Sequence, residues 1–228
     1  MESINRLDLN IDGVSTASGG DYGKVKIDGV GTVEGDVIAE IFDSNGITKV
    51  RGNLRTGEMD SDGIIKIYGH LSAGYSVVDG NLKVIGSVKA ERFKVNGVLN
   101  VGEDCEIEDL DMEGAFDVQG LLNVGKMNVR LHGKGKVKEI GGENIQVRRV
   151  RRSVWGKMVT WMLPKFSPEL HTASIEGDDI DLEYTLADVV RGNRVVIGKG
   201  CNIGTVEYRT ELKVYPGAKI GKEVKTGG

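Results

Sequence analysis

Apolar and polar residues alternate along most of this chain in short runs, as in Lys24-Val25-Lys26-Ile27-Asp28 and Leu82-Lys83-Val84. A period of two is that of a strand with one buried face. The runs also keep a register. An apolar-x-Gly unit stands at Val33-Glu34-Gly35, Val50-Arg51-Gly52, Ile67-Tyr68-Gly69 and Val84-Ile85-Gly86, each 17 residues after the last. The frame shortens once to Val95-Asn96-Gly97, resumes at 17 with Met112-Glu113-Gly114, and stretches to 19 at Leu131-His132-Gly133. Short strands in a fixed repeat predict an all-β fold, a parallel β-helix with about 17 residues and three short strands per coil, stacked about 4.8 Å apart. The step of 11 from Gly86 to Gly97 fits this geometry, being one coil less one face of about six residues. Glycine is expected at corners, where positive φ or close approach of stacked backbones excludes a side chain. A β-sandwich or barrel also has many short strands, but it does not hold a glycine register over four consecutive units.

The spacing returns near the C-terminus. Ile180, Ile197 and Val214 are 17 apart, and Gly200-Cys201-Asn202-Ile203-Gly204 aligns at 17 with Gly217-Ala218-Lys219-Ile220-Gly221. The chain therefore divides into main coils over 1–147, a non-repeating insertion over 148–172, and C-terminal coils over 173–228. About eight coils and then about three give a rod of roughly 50 Å if they share one axis.

Composition agrees with this reading. Glycine contributes 34 of 228 residues and proline 3, while valine and isoleucine together number 46 against 12 aromatics, so the core is built from β-branched side chains. Net charge is −4, too balanced to suggest a nucleic-acid binder. The charge is unevenly placed: net −8 over 1–147, +6 over 148–166 and −2 over 167–228. Cys105 and Cys201 form no C-x-x-C pair, the first residues carry neither a basic nor an apolar leader region, and no run is long and apolar enough to span a bilayer. A cytoplasmic location is the expectation.

The insertion holds both tryptophans. On a helical wheel Val150, Val154, Trp155, Met158, Val159, Trp161 and Met162 fall on one half, with Pro164 ending the run, which predicts a short basic amphipathic helix. Arg148, Arg149, Arg151 and Arg152 stand at its start, where the helix dipole disfavours cations, so a partner is expected to compensate them. Arg148, Arg149, Arg151, Arg152, Trp155, Met158, Trp161 and Met162 are thus candidate docking residues for an anionic membrane surface or a cell-envelope protein. The alternative is a plug, with the apolar face packed on the β-helix and the arginines on its acidic strands.

Two acidic runs, Glu103 to Glu113 and Glu176 to Glu183, offer oxygens of the kind calcium takes. Interleaved apolar residues mark them instead as the wet faces of strands. Neither a phosphate-binding loop of the G-x-x-x-x-G-K-[ST] type nor HExxH occurs, and His70, His132 and His171 lie outside any nucleophile motif, so no catalytic residue, metal or cofactor is expected. A hexapeptide-type acyltransferase using one general-base histidine is the leading enzyme alternative. Substituting His70 or His132 is accordingly expected to cost little.

The stretches VKIDGVGTVEGDVIAE, LKVIGSVKAERFKVNGVLNVGE and AFDVQGLLNVGK, with their V-x-G units, resemble the bactofilins, bacterial cytoskeletal proteins. The resemblance implies a right-handed parallel β-helix that assembles end to end without nucleotide, often at the cytoplasmic membrane face, in the service of cell shape, cell-wall enzyme placement or motility. The partners implied are further copies of the chain, as a homopolymer, or a paralogous bactofilin. This chain departs from the family pattern of one compact β-helix between proline-rich tails, because its coils begin near residue 11 and an insertion splits them. Physics points the same way: an uncapped coil leaves unpaired backbone groups that template another end. Ile11 and Val14 at one end, and Val214, Ile220 and Val224 at the other, are the expected polymer interface. A soluble adaptor that does not polymerise is the remaining alternative.

Overall fold

The computed structural model describes residues 6–150 and 168–227. Nine strands follow in chain order: β1 Leu7–Val50, β2 Leu54–Ile67, β3 Leu71–Val84, β4 Val88–Val101, β5 Cys105–Arg149, β6 Leu170–Leu182, β7 Thr185–Ile197, β8 Asn202–Val214 and β9 Lys219–Lys225. They form one parallel sheet in sequence order, wound into a β-solenoid of about 10 turns roughly 17 residues apart. There is no helix among the described residues. The predicted β-helix is the observed fold.

Register explains the repeat. Val50, Ile67, Val84 and Val101 stack as one inward column, each 2% exposed or less. Phe42, Met59, Ser76, Phe93 and Leu110 form another, and the Ser76 hydroxyl has no partner among the described residues. Glycine occupies two columns for two reasons. Gly29, Gly46, Gly63, Gly80, Gly97 and Gly114 turn a corner at positive φ, from 118° to 150°, each pressed against the backbone of the glycine one coil before. Gly52, Gly69 and Gly86 leave room for a side chain from the preceding coil: a Cβ there would run into Asp36 Oδ1, Asn53 Oδ1 and His70 Nδ1 respectively. The 11-residue step in the sequence is the passage from the second column to the first.

Two irregularities place the candidate sites. Gly142 pairs with Gly177, 35 positions on, so an extra 18 residues leave one coil and return to it. β5 runs to Arg149 and β6 starts at Leu170, so strands reach further into the 148–172 segment from both sides than the repeat indicates. The predicted amphipathic helix, with Arg151, Arg152, Trp155, Met158, Trp161 and Met162, lies outside the described residues. The next coil is short: Ile180 faces Val195 and Leu182 faces Ile197, a step of 15. The 17-residue spacing of Ile180, Ile197 and Val214 is therefore not one column, and only Ile197 and Val214 are stacked. Tyr184, in this coil, is the one described non-glycine residue at positive φ, 47°.

Candidate assembly surfaces

At the C-terminal end the core opens to solvent. The inward column Val147, Leu182, Ile197 is completely buried, and its next member, Val214, is 44% exposed. Ile220 stacks on buried Ile203 and is half-buried. Both stand where the sequence placed them, at the end of core columns. Val224 does not. Register sets it over Glu207 in the outward row, and Glu223 takes the inward position over Val206. The alternation that makes Ile220 an inward residue shifts within β9, so the end face carries apolar Val214, Leu212 and Ile220 together with one carboxylate.

The N-terminal pair also divides. Ile11 is already buried, 4% exposed, and packs in the core cluster. Val14 is 84% exposed and follows Gly13, whose carbonyl lies against Gly29. It stands at an outer corner and not on a core column. The first coil is tied down by polar contacts: Asp8 Oδ1 accepts from the Lys24 amide at 2.8 Å, and Arg6 pairs with Asp21 at 2.8 Å and Glu40 at 3.2 Å.

Two arginines at the end of β5 contact the following coil. Arg148 grips Asp181 through both guanidinium nitrogens and donates to the Asp181 and Val147 carbonyls at 3.2 Å. Arg149 lies 4.6 Å from the centroid of the Tyr184 ring. The hydrogen bond and charge of Asp181 hold the Arg148 guanidinium above its usual range. These two arginines thus meet the coil that receives the returning chain, Arg148 at a carboxylate and Arg149 at an aromatic ring.

Several acids of these runs meet side chains of neighbouring coils: Glu113 meets Arg130 at 3.0 Å and His132 at 2.6 Å, Glu106 meets Lys89 at 2.8 Å, and Asp179 meets Arg194. Hydrogen bonds from His132 and Arg130 pull the Glu113 carboxyl below its ordinary value. Among the described residues no three His, Cys, Asp or Glu side chains converge on a possible metal position. His171 is bonded to Glu169 at 2.6 Å. His70 has a backbone role that sequence reasoning missed. Asp36, Asn53 and His70, each directly after a repeat glycine, accept the amide N–H of the residue stacked one coil on: Asn53 at 2.7 Å, His70 at 2.9 Å and Ser87 at 3.0 Å. Asp104 does the same for Leu121 at 2.7 Å. A polar residue after Gly35, Gly52, Gly69 and Gly86, every 17 positions, was the available signal.

A second missed feature is an exposed apolar row beside the positive-φ glycines. Ile47, Ile64, Asn81, Val98 and Ala115 stack in register one position after them.

No family model matches the sequence, and no solved structure matches it. Two Bacillus subtilis (strain 168) proteins are similar to it, both described as uncharacterized. YhbF is 40% identical over 107 residues, covering 46% of this chain and 42% of its own. YhbE is 37% identical over 109 residues, covering 47% and 44%. The chain thus matches less than half the length of these relatives.

Proposed function

We propose that this protein is a bactofilin-like scaffold that assembles end to end through its solenoid faces. The observation that carries the reading is the column Val147, Leu182, Ile197, Val214, buried until its last member and then open. A further coil placed on Val214 and Ile220 would continue the column and remove apolar area from water at about 25 cal/mol per Å². It would also pair the free outer edge of β9, the kind of edge that invites strand addition. No nucleotide is needed for such growth. Cell shape, placement of cell-wall enzymes and motility are the roles the bactofilin resemblance supports, with assembly at the inner membrane face.

Negative-stain electron microscopy of the purified chain at low and moderate salt tests it. Filaments of even width are expected, shortened or lost in Val214→Glu and in Ile220→Glu. If both variants keep the circular dichroism of the parent and still assemble like it, the C-terminal face is not the junction. Discrete particles from the parent under all conditions would overturn the reading itself.

A further inference from the structure

The exposed row beside the glycine corner has a composition that singles out one partner. Val30, Ile47, Ile64 and Val98 are 39–49% exposed and share one column, with Asn81 between Ile64 and Val98. Gly29 stacks between Gly13 and Gly46, which puts Val30, and before it Val14, at the head of the same row. Singly exposed apolar residues are ordinary, but a row of them broken only by Asn81 marks an interaction surface.

The flanks are of opposite sign. On one side, just before the glycines, run Asn45, Asp62, Asp79, Asn96 and Glu113. On the other, two positions beyond the apolar row, Lys49, Lys66 and Lys83 stand in register, and the column continues as Asn100 and Asp117. The ion pairs among the described residues use other lysines and leave these three out, while Lys66 lies 4.0 Å from the centroid of the Tyr68 ring. Stacking three like charges at about 4.8 Å is unfavourable unless something opposite lies across from them. The acidic side is similarly overcharged: burial, then the nearby Asp62, Asp43 and Asp79 carboxylates, raise the Asp60 carboxyl above its ordinary value.

We infer that this row is a lateral interface between two parallel copies of the chain, related by a two-fold axis running along the solenoid. Such an axis sets each apolar residue against its own copy and exchanges the flanks, so the Asp62 and Asp79 side of one copy meets the lysine row of the other. An antiparallel pairing, with the axis lying across the row, keeps each flank opposite its own kind, which is repulsive on both sides. Over the coils of Lys49, Lys66 and Lys83 the pattern is therefore complementary to itself in one orientation only. The contact deepens the scaffold reading by adding a sideways bond to an end-to-end one, and it does not need the ends to form.

Single cysteines test it, because the native Cys105 and Cys201 are buried. Val30→Cys, Ile64→Cys and Val98→Cys are introduced one at a time into the full chain, with Lys89→Cys on another face as control. A mild oxidant is added and dimers are read on a non-reducing denaturing gel. An axis along the solenoid allows no axial offset, so all three row positions are expected to cross-link and the control is not. Adding Lys49→Glu, Lys66→Glu and Lys83→Glu should abolish the dimer band, and further adding Asp62→Lys and Asp79→Lys should restore it. Cross-linking at one row position alone would mean an antiparallel pair and overturn the inference, as would a control that cross-links equally or a row that does not cross-link at all. Filaments without row cross-links would sink this interface and spare the end-to-end reading, whereas cross-linked pairs that never form filaments would do the reverse.

Discussion

The ladder Asp36, Asn53, His70 gives a repeat position a job that neither burial nor charge describes: a side chain accepts an amide N–H from the coil above, and glycine beside it keeps the passage clear. His70 belongs to that backbone scheme, so the expectation that its substitution costs little is revised. His70→Ala should lower unfolding free energy by about 1 kcal/mol, the usual net worth of one hydrogen bond, and His70→Asn should recover most of it because Asn53 fills the same rung one coil earlier. Urea denaturation of both variants measures this, and equal losses would count against the ladder. Buried Cys105 supplies a pH-dependent case. Burial, with a smaller contribution from Asp104, pushes its thiol from 9.0 up to about 12. Between those values the unfolded chain releases a proton that the folded chain keeps, so this group makes stability fall as pH rises through that window. Dithionitrobenzoate at pH 8 should leave Cys105 unmodified in the native protein and label it after denaturant is added. Rapid labelling of the folded chain would contradict the burial.

At the scale of the element, β9 decides how sticky the C-terminal face is. Its inward positions hold Ile220 over Ile203 but Glu223 over Val206, so a carboxylate sits on an otherwise apolar column. Desolvating an unpaired carboxylate against another coil is costly, which makes Glu223 a brake on end-to-end contact. Glu223→Val is expected to lower the protein concentration at which polymers appear in light scattering, and Glu223→Lys to keep or raise it. If Glu223→Val assembles no more readily than the parent, the face of β9 does not enter the junction. The 15-residue coil from β6 to β7 is the second element-level departure, and it moves Leu182, in place of Ile180, under Ile197.

At the scale of the whole molecule, a solenoid of about ten turns presents two end coils, an exposed row beside the glycine corner and one point where 18 extra residues depart. Arg148 and Arg149 fasten that point to Asp181 and Tyr184. Their charges are already answered within the solenoid, so the membrane proposal falls to Arg151, Arg152, Trp155 and Trp161. Binding to phosphatidylserine vesicles is expected to weaken with salt and in the variant with Arg151→Ala and Arg152→Ala, and again when both tryptophans become alanine. Arg148→Ala should instead lower thermal stability while leaving vesicle binding in place. Tryptophan fluorescence that is blue-shifted in the free protein and indifferent to vesicles would remove the membrane from the proposal.

The solenoid and its 17-residue coil could be read from sequence because each coil touches only the coils beside it, so the contact pattern and the sequence period are the same thing. Alternation told inward from outward along the straight part of a strand, as at Val50, Ile67 and Val84. It could not follow the corners within a coil, where inward residues stand three apart, as Ile203 and Val206 do, and this shift of one position is how Val224 and Glu223 came to trade places against expectation. Nor could it join Arg148 to Asp181 across 33 positions, or show that Ile47, Ile64 and Val98 turn outward just past a glycine corner. Those depend on the angle at which the backbone leaves each corner and on where an inserted segment returns, and only the tertiary structure sets either one.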